Sequence, residues 1–161
     1  MGADIYLNSE YEPHLKQWQP IFEAAVSKRD GLPRDSEQAR EAQKEVDAAF
    51  THMRSRGYFR DAYNGGNLAS LIGFSWWQDV VPMLDDGFLP IPKAHEFIAM
   101  LEAKPVTAEA VKARLERWRL EGHTSQDPFE EWLKGYQGDH ARLIALLKRS
   151  IELNEPLYCS L

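Results

Sequence analysis

The segment from Tyr58 to Asn64 holds the densest set of side chains that could recognise a ligand or a partner. It reads Tyr-Phe-Arg-Asp-Ala-Tyr-Asn, ends beside two glycines, and is followed by two adjacent tryptophans. Aromatic rings supply flat apolar area, while arginine and asparagine supply fixed polar groups, which is the composition of many recognition sites. With Asp61 expected to orient Arg60, the candidate binding residues are Tyr58, Arg60, Asp61, Tyr63, Asn64, Trp76 and Trp77.

The same segment also has a purely structural interpretation. In it, Arg60 and Asp61 hold a loop in place and the aromatic rings fill the core. Trp76 and Trp77 are adjacent in the chain, so a helix cannot turn both of them inward, and one must lie at a boundary or contact another element. The sequence leaves the choice between a site and a core open.

A second class of function is a small enzyme that uses carboxylate and histidine acid–base chemistry near residues 58–96. Asp61, Asp79 and His95 are the candidate groups, because they lie near the aromatic segment in the chain. Such chemistry needs at least two titratable groups that converge in one cleft with displaced pKa values. The sequence does not show convergence. A non-catalytic binding or protein-interaction domain is therefore the preferred interpretation, and no catalytic residue is assigned.

The remaining reactive residues form no recognised motif. No two of the five histidines are three or four residues apart, so no helix presents a ready metal-binding pair. His95-Glu96 begins like a zinc-protease motif, but Ala99 stands where the second histidine is required. Gly65-Gly66 belongs to neither a dinucleotide-binding nor a phosphate-binding loop. We expect no metal and no cofactor.

Composition limits the class of protein further. The chain has 161 residues, a net charge of −6 and one cysteine, Cys159. This charge disfavours a nucleic-acid partner, and a single cysteine excludes an intramolecular disulfide. The N-terminus lacks the pattern of a signal peptide, and no apolar run approaches the ~20 residues of a membrane span. We expect a cytoplasmic protein that binds a protein or a small molecule, and a homodimer is left open.

The elements that position these residues are mostly helices. Apolar residues at steps of three and four predict a mainly α, single-domain bundle of about six helices over residues 1–161. A kink or break is expected at Pro20, and a break between two helices at Gly138-Asp139. Side-chain caps are expected at the helix starts Ser9, Asp35, Ser75 and Thr107.

The two ends of the chain are the exception to the helical pattern. Residues 3–8 alternate between apolar and polar side chains, which predicts a short strand. A lone strand needs partners for its backbone groups. The only other strand-like segment free of internal proline is 157–161. We expect the two segments to lie close together in a minimal two-stranded sheet; two independent, frayed ends are the alternative.

Four groups of residues together resemble a known set of sequences. They are the opening Met1-Gly2-Ala3-Asp4-Ile5-Tyr6-Leu7, the Tyr58-Phe59-Arg60-Asp61 segment with Tyr63-Asn64, the Ser75-Trp76-Trp77 triplet and the ending Asn154-Glu155-Pro156-Leu157-Tyr158. This pattern is similar to that of small uncharacterised bacterial proteins that begin M-G-x-D-x-Y and carry paired tryptophans. The resemblance implies a bacterial origin. It supplies no activity and no catalytic residue.

Overall fold

A computed structural model of the protein describes residues 2–62, 67–123 and 127–161. Within these ranges the fold is mainly helical, as predicted. A π-helical turn, Trp76–Val80, and a 3-10 turn, Val81–Met83, follow the third helix. The α-helices are α1 Asn8–Asp30, α2 Glu37–Met53, α3 Leu68–Ile72, α4 Ile91–Glu102, α5 Ala108–Leu120 and α6 Phe129–Leu153, and the strands are β1 Gly2–Tyr6, β2 Tyr58–Ala62, β3 Phe88–Leu89 and β4 Leu157–Ser160.

Contacts divide the chain into two compact units. The first comprises residues 1–5 and 59–161, and the second comprises Tyr6–Tyr58, which contains α1 and α2. In the first unit the largest fully buried side chains come from the sheet and from α4, α5 and α6; they include Phe97, Leu101, Val111, Leu143, Leu147 and Leu157. No described helix has an apolar stretch long enough to cross a membrane.

The strands form one sheet in the order β2-β1-β4-β3. β1 and β4 are neighbours, so the predicted pairing of the two chain ends is confirmed. β3 pairs with β4 in antiparallel register, with Phe88 opposite Tyr158 and Leu89 opposite Leu157. The sheet has four strands rather than the expected two.

Residues 58–62 were expected to be a loop, and this prediction is wrong. They form β2 at one edge of the sheet. Phe59 and Asp61 are buried, while Arg60 between them is exposed, which is the alternation of a strand with one face on the core. A carboxylate at an inward position breaks the apolar alternation by which a strand is recognised.

Several helix boundaries differ from the sequence prediction. α1 begins at Asn8 without a side-chain cap, so the expected cap at Ser9 is wrong, and the helix continues through Pro20, where a kink or break was expected. Pro20 is exposed, so the carbonyl that its missing N–H leaves free can bond to water. Ser36, not Asp35, caps α2, while the caps at Ser75 and Thr107 are confirmed.

α6 continues through Gly138-Asp139, where a break between two helices was expected. Its buried residues lie on both sides of that point, Tyr136 before it and Leu143, Leu146 and Leu147 after it. Packing of this face against α4 and α5 outweighs the cost of about 1 kcal/mol that a glycine adds inside a helix.

We expect Leu157→Ala to lower the free energy of unfolding by about 2–5 kcal/mol, because it leaves a cavity in the core. Leu157 is fully buried on β4, which lies between β1 and β3. The measurement is urea denaturation followed by circular dichroism. Ser160→Ala, at an exposed position of the same strand, is the control and should change stability by less than about 0.5 kcal/mol. Equal losses in the two variants would contradict the placement of β4.

Candidate functional site

Asp61 is a buried carboxylate that accepts three hydrogen bonds. One oxygen accepts from the Leu68 amide at 2.8 Å, and the other accepts from the Ala69 amide at 3.0 Å and from Trp76 Nε1 at 2.8 Å. The amides of Leu68 and Ala69 open α3, where a helix offers no partners of its own. Asp61 therefore joins β2, α3 and the π-helical turn, and its role is structural.

The paired tryptophans separate as the sequence predicted. Trp76 is 2% exposed and packs edge-on against Phe74 and Phe97, at ring-centroid distances of 5.0 and 5.7 Å. Trp77 is 59% exposed. Trp76 therefore belongs to the core of the first unit, and only Trp77 presents its side chain to solvent.

The other residues of the predicted site have different surroundings. Arg60 Nη1 lies 3.6 Å from Asp4 Oδ1. The expected contact of Arg60 with Asp61 is not observed, because adjacent strand residues point to opposite faces. In the second unit, the Arg54 guanidinium lies 4.5 Å above the Tyr58 ring and bonds to the hydroxyl of that tyrosine. Tyr63 and Asn64 lie outside the described residues.

The groups proposed for acid–base chemistry also have structural surroundings. Asp79 Oδ2 accepts a hydrogen bond from the Ser75 amide at 2.7 Å, while Ser75 Oγ accepts one from the Gln78 amide at 3.2 Å. These bonds close the start of the π-helical turn. His95 is exposed on α4, and within the described ranges no hydrogen bond joins it to Asp61 or Asp79.

A serine and a histidine also meet in the second unit. Ser55 Oγ lies 3.3 Å from His14 Nε2, and the same nitrogen lies 2.6 Å from the carbonyl oxygen of His52. Since a carbonyl only accepts, His14 Nε2 carries the proton and cannot act as a base toward Ser55. Ser55 Oγ itself donates to the His52 carbonyl. The pair therefore closes the end of α2 and does not form a nucleophile.

A cavity beside α6 is the best candidate for a functional site. Its volume is about 250 Å³, and it lies entirely in the first unit. Most of its wall comes from two rows on α6 with a spacing of four residues, which places each row along one face of the helix. We call it the α6 cavity; its lining residues are Asp127, Glu131, Trp132, Gly135, Tyr136 and Asp139.

Neighbouring contacts fix the aromatic wall of the α6 cavity. The Trp132 ring packs edge-on against Trp118 of α5 at 5.2 Å and lies 6.1 Å from the Tyr136 ring. Gly135 lies between them along the helix. A Cβ added to Gly135 would meet no atom within 4 Å, so the missing side chain leaves this part of the wall open.

Two ionisable groups of the α6 cavity, Tyr136 and Asp139, have pKa values displaced toward their neutral forms. Burial raises the pKa of Tyr136; Asp139 and Asp61 add to the rise, and Arg114 opposes it. Burial likewise raises the pKa of Asp139, against the opposing effect of Arg142, whose Nη2 lies 2.7 Å from the carboxylate. Tyr136 is therefore a neutral hydroxyl at physiological pH, and Asp139 holds its negative charge less readily than an ordinary aspartate.

Asp61 supports the α6 cavity without lining it. α3, which Asp61 holds, carries Ser70, and Ser70 Oγ accepts a hydrogen bond from Arg114 Nη2 at 2.7 Å. Arg114 is 8% exposed on α5, and its Nη1 finds no hydrogen-bond partner within the described part of the chain. Its charge acts on Tyr136 in the cavity wall. β2, α3, α5 and α6 are thus linked through polar side chains of the first unit.

Sequence reasoning missed the α6 cavity. The helix break expected at Gly138-Asp139 separates Trp132 and Tyr136 from Asp139. The available signal was the row Glu131, Gly135, Asp139 beside the pair Trp132, Tyr136, which is visible only if one helix spans the segment. Among the described residues, no group of three histidine, cysteine, aspartate or glutamate side chains could hold a metal ion.

Comparison of the chain with protein-family models, with curated proteins and with solved structures gave no match.

We expect Asp61→Asn to lower the free energy of unfolding by about 1.5–3 kcal/mol, because the new amide turns a donor toward N–H groups that need an acceptor. Urea denaturation measures the loss. Asp86→Asn is the matched control: Asp86 is an exposed turn residue with φ of 47°, a conformation that asparagine tolerates. An unchanged stability in Asp61→Asn would show that the carboxylate does not hold α3 and Trp76.

Proposed function

We propose that this protein is a non-catalytic binding protein whose α6 cavity takes a small organic cation, such as a primary or quaternary ammonium ion. The observation that carries the proposal is the lining, in which three carboxylates stand among two aromatic rings. Cations are attracted to the faces of tryptophan and tyrosine rings, and carboxylates supply the opposite charge. The three carboxylates are those of Asp127, Glu131 and Asp139.

The balance of charge in and around the cavity supports a cationic ligand. Arg142 lies beside Asp139, and the charges of buried Arg114 and Asp61 both act on Tyr136. With the three carboxylates of the lining, four negative groups stand against two positive ones. Burial is the main cause of the raised pKa of Asp139, and the negative charge of Asp61 adds to it, so this carboxylate is short of compensating positive charge despite Arg142. A bound cation would supply it.

The direction of the pKa shift at Tyr136 favours binding over proton transfer. A tyrosine with a raised pKa keeps its proton at neutral pH, so it serves as a hydrogen-bond donor and not as a general base. Two of the residues that the sequence suggests for acid–base chemistry, Asp61 and Asp79, instead accept structural hydrogen bonds from backbone amides. No described feature therefore favours an enzyme over a binding protein.

The first test is a substitution that fills the α6 cavity with a side chain and does not strain α6. Gly135→Leu should place its side chain in the α6 cavity and abolish choline binding, measured by the shift of the Trp132 indole N–H resonance in NMR titrations. Gly138→Leu is the matched control: it is also a glycine of α6 with open space around it, but it does not line the cavity. Leucine should stabilise α6 by up to about 1 kcal/mol in each variant, so a difference in binding between the two variants cannot come from folding.

The neutral isostere 3,3-dimethylbutan-1-ol completes this test, since it has the shape of choline without its charge. Wild-type protein should bind choline and not the alcohol. Equal shifts with the two compounds would identify an apolar pocket without charge recognition. No shift with either, or choline binding retained in Gly135→Leu, would overturn the proposal.

Binding should also depend on pH through Asp139. Below its pKa this carboxyl is neutral and attracts a cation weakly, so choline affinity should rise as pH increases through that pKa. This increase in affinity should occur at a higher pH than it would for an ordinary aspartate, because the pKa of Asp139 is raised. Titrations across this range should show no such rise in Asp139→Asn. Glu130→Gln, an exposed acid of α6 outside the lining, should keep the wild-type profile.

A further inference from the structure

A second cavity, with a volume of about 640 Å³, is lined by residues of the end of α1, of the start of α2 and of the segment that joins them. Arg29, Arg34 and Arg40 contribute to its wall, and Asp30 contributes its one carboxylate. Three positive charges thus stand against one negative charge, in a chain whose net charge is −6. From this concentration of guanidinium groups we infer that the cavity is a binding site for a phosphate group. The inference does not depend on the α6 cavity, which belongs to the other unit.

Arg29 is oriented by its neighbours and forms an ion pair with Asp30, which neutralises the charge of that carboxylate. Its Nε and Nη2 donate to Asp30 Oδ1 at 2.8 and 2.6 Å, and its Nη1 donates to Gln43 Oε1 at 2.9 Å. Each of its two terminal nitrogens has a second hydrogen. The Arg29 guanidinium is thus held as a fixed, partly neutralised wall of the cavity, and still has donors to offer a ligand.

Arg34 and Arg40 supply the charge that is not neutralised. Both side chains are exposed, and in the part of the chain that the structure describes neither forms an ion pair or a side-chain hydrogen bond. Two other cations of these helices are paired, Lys28 with Glu45 at 2.7 Å and Lys44 with Glu41 at 2.6 Å. The guanidinium groups of Arg34 and Arg40 thus lie with that of Arg29 in the wall of one cavity.

The number of these charges and the shape of the guanidinium group favour a phosphate group over other anions. A guanidinium presents parallel N–H donors that match two phosphate oxygens, and two such forks balance the two charges of a phosphate monoester. A carboxylate ligand carries only one negative charge, so it would leave one of the two guanidinium groups without a counterion. A long polyanion such as a nucleic acid is disfavoured by the net negative charge of the chain.

The test is a titration with inorganic phosphate at constant ionic strength, followed by the NMR shifts of the arginine Nε–H groups and of the amides of residues 37–40. Wild-type protein should show saturable shifts there, with larger effects for phosphate than for acetate. Arg34→Gln combined with Arg40→Gln should weaken binding by about tenfold or more, since two charge-assisted contacts are lost.

The matched control is Arg117→Gln combined with Arg119→Gln, which removes the same charge from an exposed part of α5. This variant should bind phosphate as the wild type does. Equal weakening in the two double variants would show that phosphate responds only to net charge, and would overturn the inference. Acetate shifts as large as those of phosphate, or shifts that do not saturate, would overturn it as well.

Discussion

A carboxylate in a protein core must be surrounded by donors, and the first unit is organised around one such group. Asp61 is 4% exposed and accepts two backbone amides of α3 and the indole N–H of Trp76. Removing a charge from water without such bonds would cost several kcal/mol. β2, α3 and the π-helical turn must therefore keep their relative positions, because the carboxylate is satisfied only when all three are in place.

The same requirement extends to the candidate site. Because Asp61 holds α3, Ser70 is available to the guanidinium of Arg114, a residue that is rarely buried without partners. Arg114 and Asp61 have opposite effects on the pKa of Tyr136, and burial decides the result. The properties of the α6 cavity thus depend on polar groups that do not line it. Two residues that the sequence singled out for binding, Asp61 and Trp76, are thus buried partners in the structure that supports this cavity.

The fold could be predicted from sequence where it depends on local patterns. Steps of three and four residues gave the helices, and the need of a strand for partners correctly paired β1 with β4. Prediction was wrong where tertiary contacts determine the secondary structure of a segment. β2 was missed because Asp61 occupies an inward position, and the unbroken α6 was missed because Gly138 signals a helix end unless packing on both sides holds the helix together.

The candidate site was less predictable than the fold for a related reason. Its row of Glu131, Gly135 and Asp139 exists only on a continuous helix, and its electrostatics depend on the burial of Arg114, which composition alone would place at the surface. Net charge is equally uninformative about local sites. The total of −6 is a sum over the whole chain, whereas one unit has a cavity with three carboxylates in its wall and the other has a cavity with three arginines. Opposite charges in separate cavities cancel in the total, so the overall charge disfavours large polyanionic partners but says nothing about small ligands of either sign.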